Sequence, residues 1–95
     1  MASVGVLILE LRIEHSHSLK DKRQVVKSLK DRLRARFNVA VSEIEDQDVW
    51  QSAVIAAVTV SPHRGHAEQV LQRVEHEAAS ILGPLLLRAG IEWLS

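Results

Sequence analysis

Between Lys20 and Arg36 the chain carries eight basic residues, Lys20, Lys22, Arg23, Lys27, Lys30, Arg32, Arg34 and Arg36, against two acidic ones, Asp21 and Asp31. This segment holds a formal charge of +6, while four basic and ten acidic residues elsewhere hold −6, so a net charge of zero hides a segregated one. Lys and Arg in such a run have one evident chemistry, contact with phosphates, which supplies salt-dependent affinity for nucleic acid. The competing reading is a solvated helix face whose long stems cover apolar neighbours. At about 100° per residue, Lys20, Arg23, Lys27, Lys30 and Arg34 fall within an arc of about 80°, beside an apolar stripe of Leu19, Val25, Val26, Leu29 and Leu33.

The cations at the start of this segment pose a problem. Lys20, Lys22 and Arg23 stand in the first turn of the expected helix, where the macrodipole disfavours positive charge by a few tenths to about 1 kcal/mol each. A bound anion would offset this, because backbone N–H groups and cations together form an anion site. So would the acidic hairpin segment with Glu43, Glu45, Asp46 and Asp48. The candidate anion-binding residues are therefore Lys20, Lys22, Arg23, Lys27, Lys30 and Arg34.

Other chemistries find fewer of their parts. With no Cys, the chain has no thiolate metal site, iron–sulfur ligation or Cys nucleophile. His15, His17, Asp46 and Asp48 are zinc-ligating types. The strand order below separates their strands by roughly 10 Å, however, so ordinary loop histidines are expected rather than a metal site. No Gly-rich phosphate loop or Ser/His/Asp order is present, and the loop Glu14, His15, Ser16, His17, Ser18 has neither the Arg nor the Gly of a phosphate cradle. The expectation is a protein without catalytic activity or cofactor.

The elements that must position these residues follow from periodicity. Residues 4–14 read as a strand, at first wholly apolar and then alternating Leu9, Leu11, Ile13 with Glu10, Arg12, Glu14. Ser18, with Asp21 three residues on, forms a carboxylate variant of the capping box for a helix reaching Arg36. Residues 37–45 alternate as a second strand, Asp46, Gln47 and Asp48 form a hairpin tip, and residues 50–60 form a third strand. Ser61 and Pro62 break it. A second helix runs from about His63 or His66 to Leu82, stopped by Gly83 and Pro84, and residues 85–94 form the last strand.

The order βαββαβ predicts an α+β ferredoxin-like sandwich, one domain over residues 1–95, with a four-stranded antiparallel sheet and two helices on one face. Strand order 4-1-3-2 places the two middle strands where an RNA-recognition motif carries its stacking aromatics, and here they have none. The open sheet face should carry Val4, Val6 and Ile8 beside Glu10, Arg12 and Glu14, an apolar half that invites a homo-oligomer through the face or a strand edge. Trp50 and Trp93 are expected in the core or an interface. No stretch approaches the roughly 20 apolar residues of a spanning helix, and residues 1–9 lack the basic start of a signal peptide. A cytoplasmic protein without membrane contact is expected.

Ser18-Leu-Lys-Asp-Lys-Arg23, continuing through Val25-Val-Lys-Ser-Leu29 and Arg32-Leu-Arg-Ala-Arg-Phe-Asn-Val39, together with Gln47-Asp-Val-Trp-Gln51, resembles the YlxP-like family of small uncharacterised bacterial proteins. Asp21 stands where that pattern has Glu. The resemblance implies a ferredoxin-like fold with no established enzyme activity or cofactor. Members are often encoded beside transcription and translation factors, which implies an RNA or ribonucleoprotein partner. The alternative is a protein-interaction or small-ligand regulatory domain acting as a homodimer. By topology the two motifs meet at one end of the sheet, making Gln47, Asp48, Trp50 and Gln51 a candidate interaction end.

Overall fold

In the computed structural model, which describes residues 1–95, the alternation in the first segment becomes β1 (Ser3–Arg12). Its Leu7, Leu9 and Leu11 side chains are buried under the helices, followed by Ile13 just beyond the strand. The chain continues through α1 (Leu19–Arg36), β2 (Ala40–Glu45), β3 (Ser52–Ser61), α2 (Arg64–Leu82), a 3-10 turn (Gly83–Leu85) and β4 (Leu86–Trp93). The sheet order is β2-β3-β1-β4, with β1 antiparallel to both β3 and β4, and β2 antiparallel to β3. This is the ferredoxin-like arrangement expected from the sequence.

Several boundaries moved for identifiable reasons. The first strand ends at Arg12 rather than Glu14 because Ser16 turns the chain inward: its amide donates to the Ile13 carbonyl at 3.0 Å, and its side chain is fully buried. The second strand begins at Ala40 rather than residue 37, since Phe37 caps α1 by donating its amide to the Leu33 carbonyl. Gly83 ends α2 with φ of +54°, a left-handed value that costs glycine little, and the 3-10 turn that follows takes up Pro84.

The core lies between the sheet and both helices. Leu29 and Leu33 from α1 and Leu71, Val74 and Ala78 from α2 close over Leu7, Leu9, Ile55 and Ala57. Gly5 is needed for close approach: a Cβ there would stand 2.7 Å from Leu71 Cδ1 and 2.9 Å from Trp93 Cζ3. Trp93 is half-buried, with the Arg64 guanidinium 4.3 Å above its ring.

The β2–β3 ladder slips once. Glu43 pairs with Ile55 and Glu45 with Val54, so two residues of β2 oppose one of β3, a bulge at Ile44. The hairpin then turns at Asp46, whose φ of 64° is in the left-handed region that Asp tolerates better than most residues. The Val49 amide closes the turn onto the Asp46 carbonyl at 3.0 Å.

Candidate nucleic-acid interface

α1 starts as its residues dictate. Ser18 is the N-cap, its Oγ accepting from the Asp21 amide at 3.1 Å. The Asp21 carboxylate accepts in return from the His17 amide at 3.1 Å, one residue earlier than in the usual reciprocal box. Val26, Leu29 and Leu33 are buried along one stripe, and the opposite side of the helix faces solvent.

Lys22 corrects the sequence reading. Counted among the anion-binding residues, it is 0% exposed and lies on the buried stripe, four residues before Val26 and seven before Leu29. Its ammonium donates to the Asp46 carbonyl and, at 3.1 Å, to the Ser52 carbonyl. It also stands 2.9 Å from Glu43 Oε2, an ion pair by distance in which that buried oxygen accepts no aligned hydrogen bond. Lys22 is thus a structural tie between α1 and the two ends of the hairpin, closed to any external anion. Its helical spacing from Val26 and Leu29 was the signal that could have revealed this.

The remaining ridge residues divide by partner. Lys27 donates to Asp31 Oδ2 at 2.6 Å, an i,i+4 pair on the surface. Arg34 reaches across to the Val41 carbonyl at 2.5 Å, which fixes its stem along β2. Lys20, Arg23 and Lys30 have no carboxylate within 4 Å; Lys20 and Arg23 are exposed and Lys30 is half-exposed. Arg23, Lys27, Lys30 and Arg34 line a shallow groove floored by Val26, in which the acids are Asp31 and Glu43. Glu43 is already paired with Lys22. The hydrogen bond from Lys27, aided by the charges of Lys27, Arg34 and Lys30, holds the Asp31 carboxyl below the usual carboxylate range against the opposing effect of desolvation. The local field is positive. At the far end of the helix, Arg36 pairs with Glu77 of α2 at 2.7 Å, with Arg32 at 3.8 Å from the same oxygen.

Ion pairing between the first turn and the acidic hairpin, one of the two explanations open from the sequence, therefore reaches Lys22 alone. Glu45, Asp46 and Asp48 make no ion pair, and the Asp46 contribution comes from its backbone.

The two motif segments do meet. The Ile13 amide donates to the Gln51 carbonyl at 2.8 Å, and Gln51 Nε2 donates to the carbonyls of Glu14 at 3.1 Å and Ser16 at 3.3 Å. Gln51 thus holds the loop that leads into α1. Gln47 and Asp48 are exposed at the tip, and Trp50, expected in a core or interface, is 52% exposed. His15 and His17 are exposed in the first loop, and no group of three or more His, Cys, Asp or Glu side chains converges as metal ligands would. No helix is long and apolar enough to cross a membrane.

Comparison with known proteins agrees with this architecture. The chain is 41% identical over 71 residues to the uncharacterized protein YlxP of Bacillus subtilis (strain 168), covering 75% of this chain and 77% of that one. Among solved structures, the de novo designed protein Foldit4 superposes with a TM-score of 0.61 at 11% identity, covering 100% of this chain and 98% of its own. A dimeric ferredoxin-like protein of unknown function from Thermobifida fusca YX gives 0.51 at 15% identity, covering 97% and 91%. At such identities these two likenesses speak to the fold alone. The model of the family of unknown function DUF503 matches residues 4–82, and with YlxP as a relative, this chain belongs to that family.

Proposed function

We propose that this chain is a non-catalytic, homo-oligomeric binding module of the cytoplasm that docks structured RNA along the exposed side of α1. One observation carries the reading: Lys20, Arg23 and Lys30 stand on that side without a carboxylate partner, while Glu43 is paired with the buried Lys22 and Asp31 with Lys27. The helix thus keeps its charge for a partner. A convex helix with lysines and arginines, and a sheet without aromatics on its middle strands, favours contacts to phosphates and shape over base readout. The homo-oligomeric part draws support from the dimeric Thermobifida fusca protein of the same fold.

The test is binding of a fluorescently labelled RNA stem–loop over a salt series. Lys20→Gln, Arg23→Gln and Lys30→Gln together should weaken binding at least tenfold and reduce the slope of log affinity against log salt by about 1 for each lost phosphate contact. Two stems of equal shape and different sequence should bind alike. Unchanged affinity in the triple variant, or no binding at low salt, would reject RNA docking by α1.

A further inference from the structure

Both helices cover one side of the sheet, and the other side has no cover. Across its middle strands Val4 faces Val60, Val6 faces Val58 and Ile8 faces Ala56, forming a continuous aliphatic surface. The alternation along the sequence points only to the β1 half of it. Val60 at one end is 57% exposed, and Leu94, whose amide bonds the Val4 carbonyl, is 68% exposed. Val6 and Ala56 are screened by their neighbours, Val4, Ile8 and Val58 are partly exposed, and soluble monomers rarely leave an aliphatic patch of this extent without a partner.

We infer that the open sheet face is a homodimer interface, on which a second copy of this chain packs face to face and leaves both α1 helices on the outer surfaces. This rests on the homo-oligomeric part of the proposed function and is independent of RNA binding. Three properties select a second copy as the occupant. The first is charge: this face carries both signs, Glu10, Glu45 and Glu92 with Arg12 and Arg88, and Arg88 Nε stands 3.6 Å from Glu10 Oε2. A copy related by a two-fold axis can set the arginines of one face against the glutamates of the other, whereas a polyanion finds no surplus of cations to neutralise. The second is shape. The aliphatic middle of the face lies beside a shallow depression over Gly90, bordered by Ile8, Glu10, Arg88 and Glu92, and it matches another sheet packed at about 10 Å.

The third is area. Strands of ten, six, ten and eight residues, rising ~3.3 Å per residue and spaced about 4.8 Å, present roughly 540 Å², which side-chain relief brings toward the ~800 Å² per partner of a standard interface. A self-complementary face is also what a two-fold dimer requires. The β2 edge offers less: the strand is short, carries Glu43 and Glu45, and is bulged, features that blunt edge pairing.

Sedimentation equilibrium of the full chain tests the inference. The native chain should be dimeric, with an affinity insensitive to salt. Val58→Glu, at the centre of the face opposite Val6, should raise the dimer dissociation constant by at least tenfold, with the far-UV circular dichroism spectrum unchanged. Val60→Lys, at the exposed end, provides the same reading should Val58→Glu fail to fold. Gln72→Glu, exposed on α2 on the opposite side of the sheet, should leave the dimer intact. The Lys20/Arg23/Lys30 triple variant should stay dimeric, so loss of RNA binding and loss of the dimer are separable. A monomeric native chain overturns the inference. So does a dimer that survives Val60→Lys or dissociates on Gln72→Glu, which would place the contact away from the open face.

Discussion

Lys20, Lys22 and Arg23 are near neighbours in sequence and carry the same charge, yet they belong to different regions of the molecule. On the inner side of α1, Lys22 is sealed against two carbonyls and Glu43. On the outer side, Lys20 and Arg23 meet only solvent. The difference is one of angle: a cation on the Val26–Leu29–Leu33 stripe is forced into the interior, where it persists only with partners that replace water. The lesson is that a basic run should be divided by helical position before any of it is assigned to a ligand.

The sharpest way to break this contrast is Lys22→Ala. Removing one partner of a buried pair leaves Glu43 without compensation and takes a donor from two carbonyls, so stability should fall by about 3 kcal/mol, measured by urea unfolding. Lys20→Met should stay within about 0.5 kcal/mol of the native chain. Equal losses in the two variants would erase the distinction. Adding Glu43→Leu to Lys22→Met should restore part of the loss of Lys22→Met alone, because the orphaned charge is then gone; a purely additive double variant would mean that the ion pair is not coupled.

A smaller effect is expected at the helix start. Ser18→Ala removes the acceptor of the Asp21 amide and should cost about 1 kcal/mol in the same assay, without altering RNA affinity beyond that loss of stability. A selective loss of affinity would instead make the cap part of the binding face.

The smallest effect concerns Asp31. Its carboxyl, lowered first by the Lys27 hydrogen bond, should titrate below the usual carboxylate range in an NMR pH series and move back up in Lys27→Met. A carboxyl lowered in the folded state adds stability above its unfolded pKa, and this is lost as pH falls through the folded one. Any contribution of the pair should therefore fade only in the acid range. A pKa unmoved by Lys27→Met would assign the lowering to the wider field of the ridge.

Much of the fold was legible because hydrophobic period and punctuation agree along the chain. The alternation of Leu9, Leu11 and Ile13, the Ser18 cap, and the Gly83-Pro84 stop each mark an element found at that place. The meeting of the two motif segments followed from strand order alone. What stayed hidden depends on tertiary partners. Lys22 has the residue type of a surface cation, and only the carbonyls of Asp46 and Ser52, distant in sequence, make its burial tolerable. Likewise Gln51 reads as a polar strand end until the first loop folds back onto its amide. The valines of β3 fill both parities, so their sequence does not tell which of them reach the open face; the register with β1 does.

The bulge at Ile44 has a consequence for where negative charge is delivered. Had the β2–β3 ladder continued in step beyond Glu43, Ile44 would stand opposite Val54 and Glu45 opposite Ala53, on the helix side. The single extra residue instead sorts the two carboxylates, sending Glu43 toward Lys22 and Glu45 to the side of Val54. One slip of register thus rations acid to the underside of α1, giving it enough to neutralise the cation it buries and leaving the others unquenched.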